Sequence, residues 1–306
     1  MTSRVVLLCI IVSLASTGCR ADTRDKSDSA RASLSPVYPT NPLANTNWNS
    51  DAGPVMIVAA GIGGDSALVV MPEATDSTIS TFQGVNAPIA GLAFDLFGRG
   101  GKVRSSVTAV ALTSRDTTRE CYAWPEARLS LSPPVTWQVG FATGHVHAIK
   151  LDSIEGIPST DSAALAALIV RTVATLPAAS DPTFRGLPFR VRSAYTFRLG
   201  STDVVIADVV RSVNEEANPR LEHFLVVGEK QTGAGGNYDV GYFNRTAGPE
   251  ESTQATEVLA VVQIGVTRRT AIVVSIQYDD GGKLGLIERD GVGEWRATWS
   301  SAYTDC

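Results

Sequence analysis

Long hydrophobic runs are scarce in this 306-residue chain. The most apolar stretch, Val5 to Ala15 (VVLLCIIVSLA), is 11 residues long. A spanning helix needs roughly 20 residues to cross the hydrocarbon core, so this stretch is too short to stay in a bilayer as an anchor. Histidine is also sparse, with three in all, which leaves few candidates for the base of a serine triad. No block of basic residues occurs and the chain carries a net charge of −5, which argues against nucleic acid as a partner. No serine stands in Gly-x-Ser-x-Gly, the turn that exposes the nucleophile of many esterases. No motif repeats at a fixed period.

The first residues have a grammar of their own. Arg4 supplies a positive start, Val5 to Ala15 an apolar stretch, and Ser16, Thr17 and Gly18 a run of small residues. That order marks a secretory signal that is cut away. The residue after Gly18 is Cys19, and the segment resembles the lipobox of bacterial lipoproteins, over residues 1–19 only. The position three before the cysteine, usually leucine in that class, is Ser16, with Leu14 two places further back. The resemblance implies cleavage before Cys19, acylation of its sulfur and attachment to a membrane through two or three chains, enough for stable anchoring. Arg20, in place of the aspartate that favours inner-membrane retention, implies an exported protein at the outer membrane or its periplasmic face. Ordinary secretion is the alternative, since Ser16 and Gly18 also suit a general signal peptidase. Without the leader, whose only charge is Arg4, 25 basic residues face 31 acidic ones, a mature charge of −6.

The four cysteines divide by position. Cys9 leaves with the leader and Cys19 takes the lipid, so Cys121 and Cys306 remain as an even pair bound for an oxidising compartment. A disulfide between them is expected, fastening the last residue to the middle of the chain; two separate thiols are the alternative.

Residues 20–50 are rich in Ser, Asp, Asn, Arg and Pro and poor in apolar side chains, the composition of a lipid-anchored tether from Cys19 to Ser50. From Val55 onward the pattern is mostly of period two. In 187–199, Leu187, Phe189, Val191, Tyr195, Phe197 and Leu199 share one parity, against Arg190, Arg192, Thr196 and Arg198 on the other. Residues 135–141 and 294–300 alternate likewise, which puts one face on a core and the other in water. Asp279-Asp280-Gly281-Gly282, Asp290-Gly291-Val292-Gly293 and Thr267-Arg268-Arg269-Thr270 separate four strands over 257–300. They predict a four-stranded antiparallel meander, which 203–213, 220–228 and 238–244 would extend. One helix is predicted at 160–176, with Ser159 and Thr160 as capping oxygens, Asp161 in the first turn and Pro177 as its stop. The expected class is α+β dominated by antiparallel sheet, over 51–306 as one globular region or as two halves, about 51–180 and 187–306.

Several arrangements could carry chemistry. Gly61-Ile62-Gly63-Gly64 follows an apolar strand, but Ala67 to Met71 after it looks like another strand, not the helix a dinucleotide loop requires; a hairpin turn is expected and no cofactor. Gly101-Lys102 lacks the upstream glycine and following hydroxyl of a phosphate loop. His145 and His147 stand two apart, so on a strand both imidazoles would face one metal ion, given a third ligand; the plain alternative is a pair of partly exposed histidines on a hairpin. Glu215-Glu216, Glu250-Glu251 and Asp279-Asp280 read as solvated charges, since adjacency does not set the separation glycosidic carboxylates need. The Arg190, Arg192 and Arg198 stripe reads as a solvated strand face that could otherwise receive an acidic ligand. Trp124, Trp137, Trp295 and Trp299 read as core. The expected function is a non-catalytic binding or structural module at the cell envelope, with an unknown protein or small molecule as partner. A secreted hydrolase with scattered catalytic residues is the alternative.

Overall fold

Short apolar strands between glycine-rich turns leave long unpaired edges, and closing the sheet on itself removes them. That is the arrangement of the first half of the chain. The computed structural model describes residues 48–60, 64–71, 89–113, 124–177, 181–214 and 218–305, which belong to one compact unit. Six strands, β1 (Met56–Ala59), β2 (Ser66–Val69), β3 (Ala93–Gly98), β4 (Gly101–Thr113), β5 (Glu126–Leu129) and β6 (Val139–Ala142), form a closed antiparallel barrel in the order β1-β2-β5-β4-β3-β6. Ile57, Val69, Phe94, Leu96, Val107, Ala127, Leu129 and Trp137 fill it. Closure needs a small residue on β6: a Cβ at Gly140 would lie 2.7 Å from Ile57 Cγ1 and 2.9 Å from Leu96 Cδ2, on the two flanking strands.

The rest builds two five-stranded sheets. One has the order β12-β11-β10-β9-β8, from β8 (Asp152–Ser153), β9 (Arg190–Leu199), β10 (Thr202–Val213), β11 (Arg220–Gln231) and β12 (Asp239–Pro249). The other has the order β16-β15-β14-β13-β7, from β7 (Val146–Ile149), β13 (Ala255–Ile264), β14 (Arg269–Tyr278), β15 (Gly281–Gly291) and β16 (Glu294–Ser300). The meander expected over 257–300 is therefore present, with β7 from the first half added at its edge through Val261↔Ile149 to Ile264↔Val146. The strands 203–213, 220–228 and 238–244 do not extend it. They form the separate sheet, which stacks face to face on the meander through Tyr195, Phe197, Val204, Ile206, Leu225 and Val227 against Val258, Val261, Ile272, Val274, Ile287 and Trp295.

Four layers result: helix, β8–β12 sheet, β7/β13–β16 sheet, barrel. The single α-helix among the described residues, α1 (Ser159–Ala174), sets Ile169 and Val173 against Val205, Ala207, Val209 and Phe224 on the outer side of the β8–β12 sheet. Pro158 rather than Ser159 occupies its N-cap, and no side chain caps it; Asp161 lies in the first turn as expected. On the far side, Ala260, Val262, Ile264, Ala271, Val273, Leu286 and Trp299 pack against Met56, Phe97, Val139 and Phe141 of the barrel. The meander is thus covered on both faces, which explains why VLAVVQI (258–264) and AIVVSI (271–276) run apolar without alternating. The protein is mostly antiparallel β with one helix and a six-stranded barrel, so the α+β expectation holds only in its broad outline.

Trp48 falls within the segment expected to be tether, yet it belongs to the body. Its ring lies 6.4 Å from Phe141 and 4.9 Å from Trp299, and its Nε1 donates to the Gly53 carbonyl at 2.6 Å. Cys19, Cys121 and Cys306 lie outside the described residues, and with them the expected lipidation and disulfide.

Candidate functional site

The stacked sheets part at one end, and two β-bulges mark the place. On β9, Ser193 opposes Asp208 and Val191 opposes Val209, so Arg192 is the extra residue without a partner across the ladder. On β13, Val258 opposes Val274 and Ala260 opposes Val273, leaving Leu259 as the extra one. A bulge reverses which face the following residues address. Val191 accordingly packs on the helix side while Tyr195 and Phe197 face the meander, and Val258 faces the β8–β12 sheet while Leu259 and Ala260 face the barrel. The single-faced alternation expected for 187–199 breaks at Arg192 for this reason.

Between the bulges lies a cleft of about 210 Å³, lined by Arg99, Arg192, Ser193, Tyr195, Asp208 and Glu257, with Ala255, Thr256 and Gln277 completing its wall. Arg99 comes from the turn between β3 and β4, at the tip of a barrel hairpin. Its Nε donates to the Val258 carbonyl at 2.7 Å, its Nη2 to the Glu257 carboxylate, and its guanidinium stands 5.4 Å from the centre of the Tyr195 ring. One side chain thus joins the barrel to both sheets. Burial pushes the Tyr195 phenol above its ordinary 10, so it keeps its proton at neutral pH and offers a hydroxyl.

Asp208 is the unusual member. It interrupts the apolar run VVIADVV (204–210) on the parity that faces the meander, and is 6% exposed. His223 Nδ1 lies 3.1 Å from its Oδ1, within hydrogen-bond distance. Arg192 Nε lies 3.9 Å from Oδ2, an ion pair too long to be a hydrogen bond. Arg190 and Arg198, by contrast, reach Ser212 Oγ at 3.5 Å and Asp203 Oδ1 at 3.2 Å. The arginine stripe therefore divides: Arg192 alone enters the cleft.

The other sequence-predicted residues take different places. His145 precedes β7 in a turn, with its Nδ1 3.1 Å from the Asp51 carbonyl oxygen, while His147 lies exposed on β7 opposite Gln263. The two do not share a strand, so the spacing of two does not align them. No group of three or more His, Cys, Asp or Glu suited to a metal ion occurs among the described residues. Gly61 to Gly63 lie outside the described residues, but β1 and β2 on either side pair antiparallel, Ile57 with Val69, as a hairpin does. Lys102 donates to Asp95 Oδ2 at 2.6 Å. Glu250 and Glu251 are exposed in a short 3-10 turn, Asp279 and Asp280 occupy the β14–β15 turn, and Glu215-Glu216 lie outside the described residues. Trp124, Trp137, Trp295 and Trp299 are all buried.

Sequence reasoning missed the cleft. Its residues run from Arg99 to Gln277, on strands that meet only because two sheets stack. The available signal was Asp208, the one acid among the seven positions 204–210, whose other six are apolar. Comparison of the chain with protein-family models, with curated proteins and with solved structures finds no match.

Proposed function

We propose that this is an exported, lipid-anchored envelope protein whose body binds a ligand or partner and does not catalyse a reaction. The observation that carries the reading is Cys19 directly behind the short apolar leader Val5 to Ala15 and the small residues Ser16, Thr17 and Gly18. Arg20 after the cysteine favours the outer membrane. In the folded part, the cleft beside Asp208 is the candidate binding site. A hydrolytic triad needs its histidine between serine and acid so that the imidazole can take the serine proton. Here the acid stands in the middle: Ser193 opposes Asp208 across the ladder, and His223 holds Asp208 without lining the cleft. Such an arrangement orients a carboxylate toward a ligand and does not arm a nucleophile.

Mass spectrometry of the N-terminus, on protein extracted from the host membrane fraction, tests the anchor. A chain beginning at a diacylglyceryl-modified Cys19 is the expected result. Intact Met1, or an unmodified N-terminus on soluble protein, overturns it.

A further inference from the structure

The charges in the cleft indicate what it holds. Two guanidinium groups and two carboxylates line it: Arg99 and Arg192, Asp208 and Glu257. Arg99 and Glu257 are hydrogen-bonded to each other, and Arg99 is further tied to the Val258 carbonyl. Asp208 and Arg192 stand 3.9 Å apart without a hydrogen bond. The Arg192 side chain is 56% exposed, whereas Asp208 is held from behind by His223. Each of these two charges therefore has hydrogen-bonding capacity directed at the opening between the sheets.

A simple anion on Arg192 would lie against the Asp208 carboxylate, and a simple cation on Asp208 would lie against the Arg192 guanidinium. Either meets a like charge beside its partner, with no bulk water behind Asp208 to screen it. A molecule carrying both charges a few ångströms apart meets neither. Its carboxylate takes the planar fork of Arg192, and its ammonium takes Asp208 Oδ2. The volume of about 210 Å³ falls below the range of roughly 300–1,000 Å³ typical of pockets for drug-sized ligands, so the molecule is small. The hydroxyls of Ser193, Tyr195 and Thr256 and the Gln277 amide remain for its other polar atoms. We propose that the cleft binds a small zwitterion with the charges and size of a free α-amino acid, held through Arg192 and Asp208. This rests on reading the body as a binding module.

The test uses the full mature chain in detergent and three mixtures at equal concentration. The first contains neutral primary α-amino acids, the second the amines left when their carboxylates are removed, the third the carboxylic acids left when their amino groups are removed. Only the first is expected to raise the melting temperature, and calorimetric affinity for its active component should fall roughly tenfold or more in Arg192→Gln. Arg198→Gln, on the opposite face, should bind as the wild type does. No response to the amino acids, an equal response to amines or acids alone, or binding that survives Arg192→Gln overturns the proposal. Amines or acids that bind and are lost with Arg192→Gln would overturn the zwitterion while leaving the cleft a binding site. The lipid anchor stands or falls separately, on the N-terminal mass.

Discussion

Two carboxylates on neighbouring strands of one sheet face the same way and have opposite surroundings. Glu229 on β11 and Asp208 on β10 both point toward the meander, near opposite ends of the sandwich. Glu229 receives two hydrogen bonds from Arg289, at 2.7 and 2.8 Å, one from the Gly293 backbone at 3.0 Å and one from Trp295 Nε1 at 2.7 Å. Four donors fill the acceptor capacity of a carboxylate. They come from β15, β16 and the turn between them, so Glu229 clamps the two sheets together. Asp208 has His223 at hydrogen-bond distance and Arg192 beyond it. One end of the sandwich is closed by a satisfied charge; the other is held apart by two bulges and leaves its charge partly open. A buried acid by itself says little about function. The number of its donors, and whether they come from both sheets, separates a fastening from a receptor.

The largest effect should come from a third buried acid on the outer face of the same sheet. Glu222 accepts from Arg211 Nε and, at 2.7 Å, from Arg245 Nε; Arg245 also reaches Asp181 at 2.6 Å, and the Arg211 guanidinium lies 4.5 Å from the centre of the Phe189 ring. Glu222 is fully buried and the Arg211 side chain 4% exposed. Removing the negative charge takes the shared carboxylate away from Arg211 and Arg245, and breaking a buried ion pair from one side typically costs about 3–5 kcal/mol. Glu222→Gln should therefore lose a large part of the stability in urea unfolding, and a loss under about 1 kcal/mol would show that this acid is not a fastening.

Glu229→Gln comes next and carries a pH signature. Burial alone would raise this acid, but the hydrogen bonds of Arg289, Gly293 and Trp295 outweigh it and hold the carboxyl below its ordinary 4.5. A lowered folded-state value contributes stability that is fully present above 4.5 and is lost as pH falls through the folded value. The substitution should cost about 1.5–3 kcal/mol at neutral pH, the worth of a charge-assisted hydrogen bond. Unfolding measured from about pH 7 down to about pH 3 should show the wild type losing stability on acidification more steeply than the variant. Parallel curves would remove Glu229 as the clamp.

The contrast between the two ends was only half legible in the sequence. The meander could be read because Asp279-Asp280-Gly281-Gly282 and Asp290-Gly291-Val292-Gly293 permit tight turns between runs of strand length, and α1 because its apolar spacing is helical and Pro177 follows it. These are local signals. Stacking is not local: the apolar runs in 203–213 and 220–228 fit an added strand in one sheet as well as a second sheet laid upon the first. Four-residue strands such as Met56–Ala59 are too short for their period to announce a barrel. The bulge at Arg192 was invisible because the parity of Leu187 to Leu199 looks regular until Val191 and Tyr195 are found on opposite faces. The cleft followed it out of sight. Arg99, Arg192, Asp208 and Glu257 share no spacing, and only the meeting of a barrel hairpin with two sheets brings them together.

The smallest effect on stability should come from the residue given the largest role in binding, which is where the comparison is most exposed to failure. Arg192 is the extra residue of its bulge, its side chain is more than half exposed, and its one ion pair is 3.9 Å long. Exposed pairs of this kind contribute about 0–1 kcal/mol, so Arg192→Gln should unfold within about 0.5 kcal/mol of the wild type. If the open end were only a less well-packed version of the closed one, Arg192 would matter to folding as Arg289 does, and its loss would cost about as much as breaking the Glu229 clamp. Equilibrium unfolding of Arg192→Gln and Arg289→Gln side by side decides between these. A near-silent Arg192 beside a costly Arg289 means the bulge holds its guanidinium out for something other than the fold, because a bulge and a buried Asp208 are expensive features to keep for a contact that stabilises nothing.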